Sequence, residues 1–304
     1  MTEASMPSQR LTLTDGGLET VLLFHRGFDL PCFASFPLLE HEEGRAALRS
    51  YFESFLDEAQ DKGLPFVLDT ATWRANPDWG TQLGYGADDL ARANRRATDF
   101  ARELALGRSE ITVNGVLGPR GDGYVVGERM SSAEAAEYHA WQIDVLQDAG
   151  VERITALTLS YPEEAIGIVQ AAAARGLPVV PSFTVETDGR LPAGTTVAEA
   201  IEQVDEATGA AAEFFMINCA HPLHIAAGLD GASALGRIGG LRLNASALSH
   251  AELDEAEELD EGDPAALARG CVALRDVLPS IRMVGGCCGT DHRHVARIVA
   301  AWEA

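Results

Sequence analysis

The feature that most constrains this chain is an alternation. Short runs rich in β-branched residues recur along its length, separated by stretches long enough for a helix. The runs are LTLTD (residues 11–15), PFVLDT (65–70), ITVNGV (111–116), RITALTL (153–159), PVVPSFTV (178–185), FFMIN (214–218), GLRLNA (240–245) and IRMVGG (281–286). Between them lie amphipathic segments such as GRAALRSYFESFLDEAQ, DDLARANRRATDFARELAL and SAEAAEYHAWQIDVLQDAG. The last has a helix start at Ser131 and Ser132 and a stop at Gly150. Repeated strand–helix units build a parallel sheet. About eight of them in 304 residues favour a closed (β/α)8 TIM barrel, a single α/β domain, since that architecture takes roughly 250 residues or more. An open doubly wound sheet would instead want G-x-G-x-x-G after its first strand; here stands DGGLET, and no helix clearly opens on it. The barrel is read over residues 11–304, with 1–10 as an extended or disordered tail and no linker to a second domain.

Charge and length then exclude several function classes. With 23 Lys and Arg against 46 Asp and Glu, the net charge is −23, so nucleic acid and anionic membranes are poor partners. The opening MTEASMPSQR has no apolar core, and no run approaches the roughly 20 apolar residues of a membrane helix. A cytoplasmic protein is expected. Its single lysine, Lys62 in EAQDKGLP, reads as an exposed helix end, which argues against Schiff-base or phosphate-cradling chemistry. The acidic run AELDEAEELDEGD (251–263) reads as a solvated helix or loop.

Polar residues collect where the strands end: Asp15, then Asp69 and Thr70, Asn114, Asn218 and Cys219, Asn244, and Cys287 and Cys288. In a (β/α)8 barrel these ends share one face, where active sites are built. Singly, each Asp or Asn reads as a turn former or helix cap; the set together points to a site. Of five cysteines, Cys32 and Cys271 fall in a loop and a helical stretch and carry no signal. Cys219 in INCAHP and Cys287-Cys288 in GGCCGT end strands that would lie about 10 Å apart. Three thiolates meeting there suit Zn2+ and leave a fourth position open, as in catalytic sites. A metal so rich in sulfur is a weak Lewis acid, but it holds an added thiol as thiolate at neutral pH. That favours alkyl transfer to a thiol over hydrolysis.

DGGLET, INCAHP and MVGGCCGT together resemble the homocysteine S-methyltransferase family, over about residues 11–302. The resemblance implies a zinc-dependent (β/α)8 methyltransferase with Cys219, Cys287 and Cys288 as metal ligands and the acceptor thiol in the fourth position. It implies that Asp15 and Gly16 contact the amino-acid part of the acceptor and that Asn218 and Asn244 line the zinc pocket. Thr70 and Trp73, at the second strand end, are further substrate-binding candidates. One departure stands out. Where the family carries a glutamate for the homocysteine ammonium, this chain has Leu157 or Thr158; Asp15 or Glu186 is then a candidate replacement, or the acceptor is another thiol. Onium donors are attracted to aromatic faces, by about 0.5–2 kcal/mol each, so Trp73 with Tyr161 or Phe183 is a candidate cage. The alternative is that Trp73 packs its loop against the barrel rim.

The function expected is methyl transfer from a sulfonium or quaternary ammonium donor to a thiol, foremost homocysteine giving methionine, in a monomer or homodimer. Two other classes remain open: a zinc hydrolase, for which His221 and His224 would matter although HPLH reads more simply as a helix start, and a non-catalytic zinc-binding barrel.

Overall fold

A computed structural model describes residues 10–229 and 232–304; the expected tail lies, but for Arg10, outside the described residues. Eight parallel strands close into a barrel in sequence order, β8 pairing with β1. They are β1 (Thr12–Leu13), β2 (Phe66–Asp69), β3 (Ile111–Leu117), β4 (Arg153–Leu159), β5 (Val179–Phe183), β6 (Phe215–Ala220), β7 (Ile238–Leu243) and β8 (Met283–Gly286). Each falls on one of the eight runs. The main difference is β1, which keeps two ladder residues of the expected five.

The helices are α1 (Leu18–Thr20), α2 (Glu42–Lys62), α3 (Pro77–Gln82), α4 (Ala87–Ala105), α5 (Ser132–Ala149), α6 (Pro162–Ala173), α7 (Val197–Thr208), α8 (Pro222–Ala227), α9 (Ala232–Leu235), α10 (His250–Asp254), α11 (Pro264–Val277) and α12 (His292–Trp302). Their ends follow local chemistry. Ser131 and Glu134 form a reciprocal capping box at the start of α5, and Gly150 ends it in the left-handed conformation. Lys62 closes α2 just before a left-handed Gly63. His221 caps α8, as HPLH suggested. A helix does open on DGGLET, contrary to expectation: α1 starts at Leu18 and runs on into a wider turn over Val21–His25. The acidic run becomes part of α10 and an exposed loop.

Strand residues are buried on both faces, as a parallel sheet wrapped in helices requires. Inside the barrel, Val67, Val180, Phe214, Met216 and Met283 form one apolar cluster. The opposite end of the barrel holds the polar residues and the site. No helix among the described residues is long and apolar enough to cross a membrane.

Candidate metal centre and active-site pocket

The cysteines converge because two strand ends are shaped to bring them there. After β8 the chain turns sharply over Cys287–Thr290: the Cys287 carbonyl accepts from the Thr290 amide (3.0 Å) and hydroxyl (2.7 Å). The glycines around it allow close backbone packing. A Cβ on Gly17 would lie 2.5 Å from the Cys287 carbonyl oxygen, and one on Gly286 would lie 1.9 Å from the Thr290 hydroxyl. This is why DGG and GGCC face each other. In β6 the register slips between Asn218 and Ala220, and Cys219 adopts φ 56°, a left-handed conformation that costs a non-glycine residue about 1–2 kcal/mol. The result is a cluster in which the sulfurs of Cys219, Cys287 and Cys288 lie within 4.8 Å of one another. Cys219 and Cys288 are 3.5 Å apart and all three are free thiols.

This donor set fits a tetrahedral soft-ligand ion. Sulfurs about 2.3 Å from a zinc ion stand about 3.8 Å apart, close to the spacing seen. Hydrogen bonds from Cys287, Cys288 and Tyr124 hold the Cys219 thiol well below its usual pKa. The Cys287 thiol is pushed up to about 12 by its neighbour Cys219, and Cys288 rises for the same reason. One thiol of the three is therefore poised to be the first thiolate.

The strained Cys219 backbone is held from outside. Its carbonyl accepts from His250 Nε2 (2.7 Å), and His250 Nδ1 lies 3.1 Å from Glu186 Oε1. The ring of Tyr124 lies 4.3 Å from that of His250, with its hydroxyl 2.8 Å from Cys219 Sγ. Glu186 thus braces the cysteine cluster through His250 and is not among the residues lining the cavity in front of it. Replacing His250 by Ala is expected to weaken metal binding by about tenfold, the usual cost of losing an outer support. Competition with a chromophoric chelator measures it; an unchanged affinity would show that the bond to Cys219 is incidental.

In front of the cysteines lies a cavity of about 70 Å3 lined by Asp15, Gly16, Thr70, Trp73, Asn218, Cys287 and Cys288, among others. Five of the six expected substrate residues thus line one cavity with two of the cysteines; the sixth, Asn244, is buried outside that lining, its Oδ1 without a partner among the described residues. Leu157 and Thr158 both face the cavity. The Asn218 amide is committed to protein, accepting from Thr158 N (2.8 Å) and Ser182 Oγ (2.7 Å) and donating to Thr158 Oγ1 (2.9 Å). Thr70 Oγ1 accepts from Val116 N (3.0 Å).

The floor is a buried triad. Arg242, on β7, forms ion pairs with both Asp15 and Asp69, and donates through Nε to the Gly286 carbonyl (3.1 Å). Asp15 also accepts from Tyr51 (3.1 Å), and Asp69 from Asn114 Nδ2 (2.6 Å). Asp15 is therefore saturated by protein. The expected aromatic cage is not assembled. Phe183 is fully buried and stacks on Phe215, and Tyr161 lines a different cleft under Arg129. The Arg74 guanidinium lies 3.9 Å from the ring centres of both Trp73 and Trp79, so one face of Trp73 already holds a cation. Tyr124 and His250 had no local sequence signal. Arg242 in GLRLNA alone was open to notice, because a charge in the middle of a barrel strand needs a buried partner.

The homocysteine S-methyltransferase family model matches residues 12–302. No curated protein sequence matches the chain. Among solved structures it is similar to the homocysteine methyltransferase MmuM of Escherichia coli. The metallated form gives 19% identity, a TM-score of 0.74 and 96% coverage of each chain. The oxidised form gives 19% identity, a TM-score of 0.75 and 96% coverage of each chain. The fold, the three-cysteine cluster at the barrel mouth and a family match over nearly the whole length agree: the chain belongs to the homocysteine S-methyltransferase family and is a thiol S-methyltransferase.

Proposed function

We propose that this protein moves a methyl group from a sulfonium or quaternary ammonium donor to the thiol of homocysteine, with zinc held by Cys219, Cys287 and Cys288. The observation that carries the reading is the cluster of three free cysteines opening on a narrow, largely apolar cavity. What zinc would supply when bound is preference for the thiolate form of the acceptor at neutral pH. The protein's own work is placement. Leu18, Phe33, Ala71, Val116 and Leu157 give the cavity apolar walls, which limit water around a sulfur nucleophile once substrate fills it. Trp73 offers a rigid wall beside them, fixed by its Nε1 bond to the Leu157 carbonyl (3.4 Å). Gly16, Thr70 and Asn218 shape the remaining wall around an amino-acid acceptor. The leaving group is neutral, so no general acid is needed, and orientation accounts for most of the acceleration.

The loop between β3 and α5 carries Tyr124 onto Cys219 at the edge of this cavity. A different thiol acceptor is the second reading, favoured by one observation: the aliphatic Leu157 faces the cavity while Asp15 is taken up by Arg242.

The test offers homocysteine to zinc-loaded protein with S-methylmethionine, betaine, dimethylsulfoniopropionate and S-adenosylmethionine in turn. Methionine from one of them identifies the donor. No methionine from any donor, with zinc bound, removes homocysteine as the acceptor.

A further inference from the structure

Glu19 stands apart from the other acids of the cavity. Asp15 and Asp69 have their oxygens filled by Arg242, Tyr51, Thr14 and Asn114. Glu19, on α1, lines the same cavity and is half-buried. Its Oε1 accepts from Ser35 Oγ (2.8 Å), which fixes the carboxylate's direction and leaves Oε2 open. Among the described residues no lysine, arginine or histidine pairs with it. Burial raises its pKa; the bonds from Ser35 and from its own backbone oppose that rise, and of the charges nearby Cys287 adds to it while Arg242, paired with Asp15 and Asp69, only partly offsets it. The surrounding wall is mainly apolar: Leu18, Phe33, Ala71, Trp73.

A carboxylate in such a place costs stability unless something answers its charge. An anionic ligand would be repelled and a neutral one would leave the acid desolvated. An organic cation satisfies it.

We propose that Glu19 is the counter-ion for a cationic centre of the bound substrate, either the ammonium of an amino-acid thiol or the onium of the methyl donor. It is a specificity-determining residue, because a site with an unpaired, half-buried charge discriminates against ligands that cannot answer it. It has no part in proton transfer. The proposal rests on the methyl-transfer reading, and it gives that reading the charge anchor that Asp15 and Leu157 do not provide.

Binding by calorimetry tests it without needing turnover. Zinc-loaded wild type, Glu19→Gln and Glu19→Asp are titrated with three ligands. L-Methionine carries an ammonium and no onium; dimethylsulfoniopropionate carries a sulfonium and no ammonium; 4-(methylthio)butanoate carries neither. Glu19→Gln keeps the acceptor for Ser35 and removes only the charge. The expected result is that it weakens at least one cationic ligand by about tenfold or more, moves 4-(methylthio)butanoate by less than about twofold, and is partly rescued by Glu19→Asp. Loss on L-methionine names the ammonium as the cation, and loss on dimethylsulfoniopropionate names the onium. Binding of all three ligands that is indifferent to Glu19→Gln overturns the assignment alone. A wild type that binds none of them overturns the assignment and the methyl-transfer reading together.

Discussion

Cys288→Ala is expected to lose its metal and, with it, methyl transfer, by about 10^3-fold or more in kcat/KM. Removing one of three thiolates leaves two sulfurs and an open edge at the cluster, which is too few for a tight zinc site. The reaction depends on ionising a thiol whose ordinary pKa is about 8.5, worth about 2 kcal/mol at pH 7, and the lost positioning of that thiol supplies the rest of the roughly 4 kcal/mol that the stated factor corresponds to. Cys219→Ala should behave alike. Cys271→Ala is the contrast. That thiol is fully buried in α11, and burial pushes it up to about 12, so it is inert. Its loss should cost about 1 kcal/mol of packing and leave metal content and rate unchanged. Elemental analysis alongside the methyl-transfer assay decides the matter. A Cys288→Ala protein that keeps one equivalent of zinc and its activity would refute the assignment of the ligands.

That contrast was already visible in the sequence, and the reason is physical. Cys219 and the Cys287-Cys288 pair end strands, and strand ends in a closed barrel have only one place to go. The eight strands were legible because each is short, β-branched and followed by a helix-length stretch. β1 was overestimated because Asp15 and its neighbours leave the ladder to meet the GGCC turn, a long-range event that LTLTD alone does not reveal. The same limit hid the supports of the site. Tyr124 reaches Cys219 from a loop 95 residues away, and His250 reaches it from the start of α10, just ahead of a segment that reads only as acidic surface. Trp73 was legible as a residue near the site; its partner was not. Arg74 follows it directly, yet only the folded loop shows that its guanidinium lies between two indoles.

Arg242→Leu should be the most destabilising single change at the barrel mouth. The arginine is 5% exposed and pairs with two carboxylates of similar burial. Its removal leaves both acids without a cation, a loss of about 3–5 kcal/mol. For a domain of this size that lowers Tm by roughly 10 °C. Adding Asp15→Asn to Arg242→Leu should recover part of the loss, since it deletes one of the two stranded charges; a cycle with no coupling would mean the triad is not a unit. The wild-type triad also carries a pH signature. Two carboxylates and one guanidinium leave one negative charge in excess, and burial, with Asp69 adding to it and Arg242 opposing, raises the Asp15 carboxyl to about 7. A raised carboxyl pKa means that the folded protein keeps a proton the unfolded chain has already released. The contribution of Asp15 to stability is therefore complete at acid pH, below the unfolded value near 3.8, and is lost as pH climbs through about 7. Asp15→Asn, which cannot titrate, should flatten that part of the profile. Urea melts of the two proteins between pH 5 and 8 read the difference directly, and parallel profiles would place the proton elsewhere in the triad.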